Sequence, residues 1–162
     1  KGYEKRFHCK DVLGQVQGTD KFELDDDILK IFQAELPEDL ETVGVFWMRR
    51  LLKSLKLTEI IPYAPSLVFK LTGKQPPYVK KIDEERLMRF FRQSVCVFNE
   101  SKPAMRKNFI NYNYVLYKLL ELIKQHEMLK HIPLLRKTRL KEHDKIWKMI
   151  CEKLDWEFVK TI

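Results

Sequence analysis

Prolines at five places along the chain limit what this sequence can fold into. A proline lacks a backbone N–H and pushes the residue before it out of the helical region, so helices begin or end close to each one. The chain has 162 residues, seven prolines and only five glycines, so little else interrupts a helix. The prolines are Pro37, the pair Pro62 and Pro65, the pair Pro76 and Pro77, Pro103 and Pro133. The segments between them have helical length.

The spacing of apolar residues in these segments favours helices over strands. Apart from Trp156-Glu157-Phe158, no segment alternates polar and apolar side chains convincingly. We therefore predict an all-α fold, a compact single domain of about six to seven helices. The predicted helices are 3–16, with Phe7, Val12 or Leu13 and Val16 inward, one that starts at the triplet 25–27, and 41–55, 66–72, 82–98, 108–123 and 138–154.

The stretch 108–125 is predicted to be the central buried helix. Apolar and aromatic residues leave it hardly any polar face, which is typical of a helix surrounded on all sides. Its tyrosines could stack nucleic-acid bases, but we favour core residues whose hydroxyls reach the surface. We expect residues 1–162 to form one domain, with sub-halves 1–73 and 78–162 joined at the Pro76-Pro77 segment.

The acidic triplet Asp25-Asp26-Asp27 has two interpretations. Carboxylates at the start of a helix accept hydrogen bonds from its free N–H groups and complement its dipole. A calcium-binding loop would instead need acidic or amide groups at alternate positions followed by glycine, and that pattern is absent. We therefore interpret the triplet as a helix start.

Charge is distributed unevenly along the chain. Residues 1–41 carry 6 basic and 11 acidic side chains, a balance of −5, whereas residues 42–162 carry 25 and 12, a balance of +13. Together these give the net charge of +8. A basic surface attracts polyanions such as nucleic acid without selecting a sequence.

The last predicted helix has the most pronounced basic face. Leu140, Trp147 and Leu154 recur every seven residues and, with Ile150, define its buried stripe. Lysines follow one another down a face turned away from that stripe. The candidate residues for binding nucleic acid or an acidic partner are Arg136, Lys137, Arg139, Lys141, Lys145 and Lys148, together with a second cluster, Lys102, Arg106 and Lys107.

The sequence shows no catalytic or metal-binding motif, and we expect no enzyme. Glycine-rich phosphate loops, a nucleophile elbow and paired zinc-ligand spacings are all absent. His126-Glu127 is followed by His131 five residues on, where a zinc protease helix needs four. We expect no catalytic residues and no metal, surface imidazoles, and buried structural thiols at Cys9, Cys96 and Cys151.

Composition also bears on the compartment. Three cysteines, an odd number, favour a reducing compartment over a disulfide-stapled secreted module. No apolar run is long enough to span a membrane, and no signal peptide is present. Because the first residue is Lys, we expect the chain to be an excised piece of a longer protein.

Three stretches in the second half carry a family resemblance. They are 106–118 (RKNFINYNYVLYK), 132–136 (IPLLR) and 140–158 (LKEHDKIWKMICEKLDWEF). In these residues the chain resembles the carboxy-terminal domain of the poxvirus-type viral late transcription factor 3 family of large DNA viruses. The resemblance is strong over residues 103–160 and fainter over 1–100.

The resemblance implies a non-enzymatic factor for late gene transcription that works with the viral RNA polymerase and other late transcription factors. It implies action in the viral factory of the host cytoplasm. Zinc belongs to an amino-terminal cysteine-rich region of the family that this chain lacks, so no cofactor is expected in this segment.

Two interpretations of the basic surface remain open. The first is a module that binds double-stranded DNA through phosphate contacts. The second is a protein-interaction scaffold without DNA contact, which the acidic residues 20–41 suit better because they repel DNA and attract a basic partner. A homo-oligomer is compatible with both, and no membrane is involved in either.

Overall fold

The computed structural model describes residues 2–20, 22–101 and 110–162, and the side chains within these ranges from His8 onward. In this part of the chain it contains seven α-helices, three 3-10 helices and no β-strand, so the predicted all-α fold is confirmed. The α-helices are α1 (Gly2–Gln17), α2 (Asp26–Glu35), α3 (Val45–Ser54), α4 (Ala64–Thr72), α5 (Lys81–Ser101), α6 (Tyr112–Leu122) and α7 (Lys137–Leu154). The 3-10 helices are Leu40–Thr42, Thr58–Tyr63 and His126–His131.

The chain divides into two compact units. The central unit is Leu13–Tyr78, and the terminal unit consists of Lys1–Val12 with Val79–Ile162. The boundary between Tyr78 and Val79 follows directly on the segment predicted to join two sub-halves. The assignment of residues 1–162 to one domain stays a prediction.

The core of the central unit is built by α2, α3, α4 and the 3-10 helix Thr58–Tyr63. Apolar side chains three or four positions apart give each helix one buried face. The fully or nearly fully buried residues of this core are Phe32, Met48, Leu52, Ala64, Leu67 and Val68. Phe22 stacks on Tyr63 with ring centroids 4.0 Å apart and tethers the segment before α2 to this core.

Local capping explains where these helices begin and end. The Asp25 carboxylate accepts a hydrogen bond from the backbone N–H of Asp27 at 3.5 Å, which confirms the acidic triplet as a helix start. Gly73 ends α4 in the left-handed region, at φ 74°. The helix predicted over 41–55 is shorter, because Gly44 has extended backbone and α3 begins only at Val45.

The core of the terminal unit is built around α6, against which α5 packs. None of the eleven residues of α6 is exposed, so its central position is confirmed. The Asn111 side chain caps its start by accepting a hydrogen bond from the Tyr114 N–H at 3.1 Å. The helix ends at Leu122, shortly before Lys124 turns into the left-handed region.

The buried face of α7 follows the predicted stripe with two corrections. Leu140, Trp147 and Ile150 are buried as predicted, and Leu154 is half-buried. The prediction of a surface imidazole at His143 is wrong, because His143 lies three residues after Leu140 and four before Trp147, on the same stripe. Its Nε2 accepts a hydrogen bond from the Asn111 N–H at 3.2 Å, which holds the start of α6 against α7.

The cysteines differ from one another in exposure. Cys9 and Cys151 are buried, as predicted for structural thiols, but Cys96 is exposed on α5, so that prediction is wrong for Cys96. Cys96 directly follows the buried Val95 and precedes the buried Val97, and it falls on the part of α5 turned away from the core.

None of the helices in the described ranges combines the length and apolar character of a bilayer-spanning segment.

Candidate functional site

Seven cationic side chains are exposed on α7 and on the residue before it. One of them, Lys153, donates a hydrogen bond to the Ser101 hydroxyl, and the other six are the predicted candidate residues. These six are Arg136, Lys137, Arg139, Lys141, Lys145 and Lys148. Within the residues that the structure describes, none of these six forms a salt bridge. Their charges are therefore available to an anionic ligand. The other predicted cluster, Lys102, Arg106 and Lys107, lies outside the described residues.

Three of these lysines line a groove of about 500 Å³. The groove lies between α7 and residues 155–162, which follow α7. We call it the lysine groove, and its lining residues are Lys141, Asp144, Lys145, Lys148, Phe158 and Lys160. Lys160 was not predicted, and it adds a fourth ammonium group to the three that α7 supplies.

A reversal of the chain after α7 places residues 155–162 beside that helix. Asp155 ends α7 in the left-handed region, at φ 55°, and the N–H of Trp156 donates to the carbonyl of Cys151 at 2.9 Å. The Trp156 ring then lies against Trp147, with centroids 5.9 Å apart, and against Phe90 at 5.3 Å. Aromatic packing of this kind anchors the first part of the segment.

Asp144 holds the second part of the segment. Its Oδ1 accepts hydrogen bonds from the hydroxyls of Tyr114 and Thr161, each at 2.6 Å, and its Oδ2 accepts one from the Thr161 N–H at 2.9 Å. Burial by itself would raise the pKa of Asp144. The hydrogen bonds from Thr161 and Tyr114, with the nearby charge of Lys118, outweigh burial, so the pKa lies below its usual value.

Lys118 of α6 supports the same segment from inside the protein. Its side chain is fully buried, and its Nζ donates to Glu121 Oε1 at 3.2 Å and to the carbonyl oxygen of Val159. The ammonium also lies over the Phe158 ring, 5.8 Å from the centroid. A buried charge needs such partners, and here they tie Phe158 and Val159 to α6.

The arrangement suits the binding of an anion. Four lysine side chains line the groove, whereas the oxygens of its one carboxylate, Asp144, accept hydrogen bonds from Thr161 and Tyr114. A groove of this size lies in the usual range for small-ligand sites. In the described ranges no three metal-ligating side chains come together.

The structure separates the predicted basic residues into two sets. Lys141, Lys145 and Lys148 share the groove, while Arg136, Lys137 and Arg139 are exposed at the start of α7 and are not part of its lining. Sequence reasoning missed three lining residues, Asp144, Phe158 and Lys160. One signal was available for Asp144, which lies four residues after Leu140 and three before Trp147, so a carboxylate adjoins the apolar stripe.

Similarity to known proteins extends over almost the whole chain. Residues 2–158 match the family model described as "Poxvirus Late Transcription Factor VLTF3 like". Among curated proteins, the chain is 32% identical over 99% of its length to "Putative transcription factor R429" of Acanthamoeba polyphaga mimivirus. It is 28% identical over 99% of its length to "Putative transcription factor A494R" of Paramecium bursaria Chlorella virus 1.

These relatives are longer than the chain. A third, "Putative transcription factor 282R" of Invertebrate iridescent virus 6, is 25% identical over 97% of the chain. The chain spans 38%, 46% and 47% of the length of the three relatives, in the order given. No solved structure matches the chain.

Proposed function

The chain belongs to the poxvirus late transcription factor VLTF3-like family, and on this premise we propose that it is a DNA-contacting module of a viral late transcription factor. In this proposal the basic face of α7 holds the phosphate backbone of promoter DNA while the viral RNA polymerase and other late factors act on it. The site of action is the viral factory in the host cytoplasm.

The observation that carries the proposal is the set of six exposed cations on α7 and the residue before it, none of which forms a salt bridge with any residue in the described ranges. Phosphate contacts from Lys and Arg supply most of the affinity of proteins for DNA without base specificity. Lys141, Lys145 and Lys148 are exposed and share one groove, so a single phosphate backbone can contact all three. The membership of a transcription factor family supports nucleic acid as the polyanion.

The experiment measures duplex DNA binding by fluorescence anisotropy as a function of salt concentration. Replacing Lys141, Lys145 and Lys148 with Gln together removes three phosphate contacts. The affinity is expected to fall, and the slope of log K against log salt to become shallower by about 2.7, since each contact contributes about 0.9.

A matched control removes the same charge elsewhere. Lys80, Lys81 and Lys130 are exposed lysines of the terminal unit that do not line the groove. Their triple replacement by Gln changes net charge equally, so it is expected to leave most of the affinity and slope intact. Equal effects of the two triple variants, or no effect of either, would overturn the proposal.

An acidic surface in the central unit favours a second function, the binding of a basic protein partner. Eight acidic side chains between 23 and 41 are exposed: Glu23, Asp25, Asp26, Asp27, Glu35, Glu38, Asp39 and Glu41. The apolar side chains of Ile31 and Leu40 are exposed in the same stretch. Acidic side chains outnumber the one exposed cation of this stretch, Lys30, by eight to one. Exposed apolar groups among charges of mainly one sign are typical of protein interfaces.

The second function is tested by capture of purified viral polymerase subunits on the immobilised chain. Replacement of Asp26 by Asn and of Glu35 and Glu38 by Gln is expected to abolish capture without weakening DNA binding, because the acidic residues repel DNA. Retention of capture by this variant, or capture of no transcription component by the unaltered chain, would contradict it.

A further inference from the structure

We propose that the lysine groove binds an unpaired nucleic-acid strand, with its phosphates on the lysines and a base against Phe158. This inference rests on the proposed function and names the form of nucleic acid that the groove accepts. An unpaired strand differs from a duplex in width and in the accessibility of its bases, and the groove matches the strand in both respects.

The positive charges lie on two sides of the groove. Lys141, Lys145 and Lys148 come from α7, whereas Lys160 comes from the segment that follows it. Lys141 and Lys148 lie seven residues apart, so they extend about 10 Å along the helix axis. Charges placed along one wall and on the opposite wall can surround a single backbone.

The size of the groove excludes a duplex from its interior. A volume of about 500 Å³ holds a ligand of nucleotide size. A duplex, whose major groove alone is about 12 Å wide, presents a broad convex surface that contacts only the rim. A single strand can enter between the two walls and contact lysines on both.

Phe158 supplies a surface that a duplex cannot use. It is half-buried, lines the groove and is the one aromatic side chain among the lining residues that the structure describes. Lys118 lies over this ring, and with the Val159 contact it holds the ring in place. Stacking of an unpaired base on an aromatic ring is the usual way in which proteins bind single strands, and paired bases are not available for it.

The four lysines outweigh the negative charge of Asp144 in this groove. Asp144 is only 6% exposed, and both carboxylate oxygens accept hydrogen bonds from Thr161 or Tyr114. With four lysines and one aspartate, the lining carries a formal charge of +3. An acidic peptide would meet the same charge, but its carboxylates bring no planar base for Phe158.

The test compares three anionic probes on the intact chain at one salt concentration: a short oligothymidine strand, a duplex of the same length, and a polyglutamate peptide of matched charge. Anisotropy is expected to rank the strand tightest. Replacing Phe158 with Ala should weaken strand binding roughly ten-fold and leave duplex binding nearly unchanged. Lys160→Gln should make the salt slope for the strand shallower by about 0.7.

Two further variants test whether Phe158→Ala weakens strand binding only because it disturbs the fold. Phe158→Leu keeps an apolar side chain without a stacking face, so it should stay folded, with a melting temperature lowered only by the lost contact with the Lys118 ammonium, and bind the strand weakly. Phe158→Trp should retain strand binding. Strand affinity unchanged in the Leu variant would overturn the inference, as would a duplex or polyglutamate that binds as tightly as the strand.

The outcomes separate this inference from the proposed function. Duplex binding that depends on Lys141, Lys145 and Lys148 but shows no preference for the strand would retain the proposed function and reject the inference. Strand binding that depends on Phe158 supports both. Binding of neither nucleic acid rejects both.

Discussion

Asp144 of α7 accepts two hydrogen bonds from Thr161, one from its backbone N–H at 2.9 Å and one from its hydroxyl at 2.6 Å. The contact spans 17 residues of sequence and closes the loop that contains Phe158 and Lys160. The shape of the lysine groove therefore depends on a carboxylate that is only 6% exposed. Stability and ligand binding in the terminal unit are expected to change together when this contact is altered.

Asp144→Asn is expected to lower the free energy of unfolding by about 2–4 kcal/mol. An amide cannot accept all three hydrogen bonds that Thr161 and Tyr114 donate, and an unpaired buried donor loses its full solvation energy. Urea unfolding followed by circular dichroism measures the change. Glu142→Gln, on the exposed face of the same helix, is the control and should change stability by less than about 0.5 kcal/mol. Similar values for the two variants would contradict the structural role.

The same carboxylate makes stability depend on pH. The pKa of Asp144 is lowered in the folded protein, so its ionisation stabilises the fold at pH values above the unfolded pKa of about 3.9. This stabilisation is lost as the pH falls through the lower folded pKa. Urea titrations across the acidic range should therefore show a steeper loss of stability in the unaltered protein than in Asp144→Asn. Parallel curves for the two proteins would disprove this contribution.

Lys118→Met is expected to lower the free energy of unfolding by about 1–3 kcal/mol, because it leaves the Val159 carbonyl and Glu121 without their buried ammonium partner. The double variant with Glu121→Gln should lose less than the sum of the two single variants, since the second change removes the uncompensated charge. Chemical denaturation of all four proteins measures the coupling.

The ion pair between Lys124 and Glu157 is the control for the double-variant experiment on Lys118 and Glu121. Their ion pair is 3.6 Å long, but both side chains are about two-thirds exposed. Solvent screens such a pair, so removing it should change stability by about 0–1 kcal/mol. A coupling energy between Lys124 and Glu157 as large as that between Lys118 and Glu121 would show that burial does not cause the strong coupling of the second pair.

The three cysteines are expected to react with thiol reagents at different rates. Burial raises the pKa of Cys9 to about 12, and burial likewise raises the pKa of Cys151 to about 12. Both thiols are then protonated and inaccessible at neutral pH, whereas Cys96 is exposed. An aromatic disulfide reagent should label one thiol in the folded protein and three after unfolding. Cys96→Ser should remove the fast reaction, and a fast reaction that survives in this variant would contradict the assignment.

Gly18→Ala is expected to destabilise the central unit by about 2 kcal/mol. Gly18 has φ 67°, and an added Cβ would lie 3.1 Å from Pro76 and 3.3 Å from the backbone of Pro65 and Ser66. Strain and close contact therefore act together at this position. Thermal unfolding measures the change.

Two other glycines distinguish the effect of backbone strain from that of close contact. Gly73 has a similar φ of 74° but open space around it, so Gly73→Ala should lose only the roughly 1 kcal/mol of backbone strain. Gly44 has negative φ and nothing within 4 Å, so Gly44→Ala should be close to neutral. The expected loss of stability is largest for Gly18→Ala, smaller for Gly73→Ala and smallest for Gly44→Ala, and any other order would contradict this explanation.

Most of the helices could be predicted because the forces that form them act within a few residues. Helices in the structure begin and end close to the residues that the sequence indicates. Asp25 caps the start of α2, and Gly73 ends α4. The predicted start of α3 at residue 41 is wrong because Gly44 has extended backbone and the helix begins at Val45. The prediction of a surface imidazole is wrong at His143 because this residue lies on the buried stripe that includes Leu140 and Trp147.

Only part of the candidate site could be predicted from local sequence. The spacing of Lys141, Lys145 and Lys148 places them on one helix face in any structure that keeps the helix. Nothing local places Phe158 and Lys160 opposite them. That arrangement depends on contacts between distant residues, in which Asp144 binds Thr161 and Lys118 binds Val159.

Local sequence was thus sufficient for the helical class, the central position of α6 and the basic face of α7, because periodicity, capping and charge are properties of neighbouring residues. The groove itself arises only in the folded chain. Its second wall is held by partly buried hydrogen bonds that Lys118 of α6 and Asp144 of α7 make with residues 155–162. These bonds join residues far apart in sequence, so no short stretch of sequence creates them.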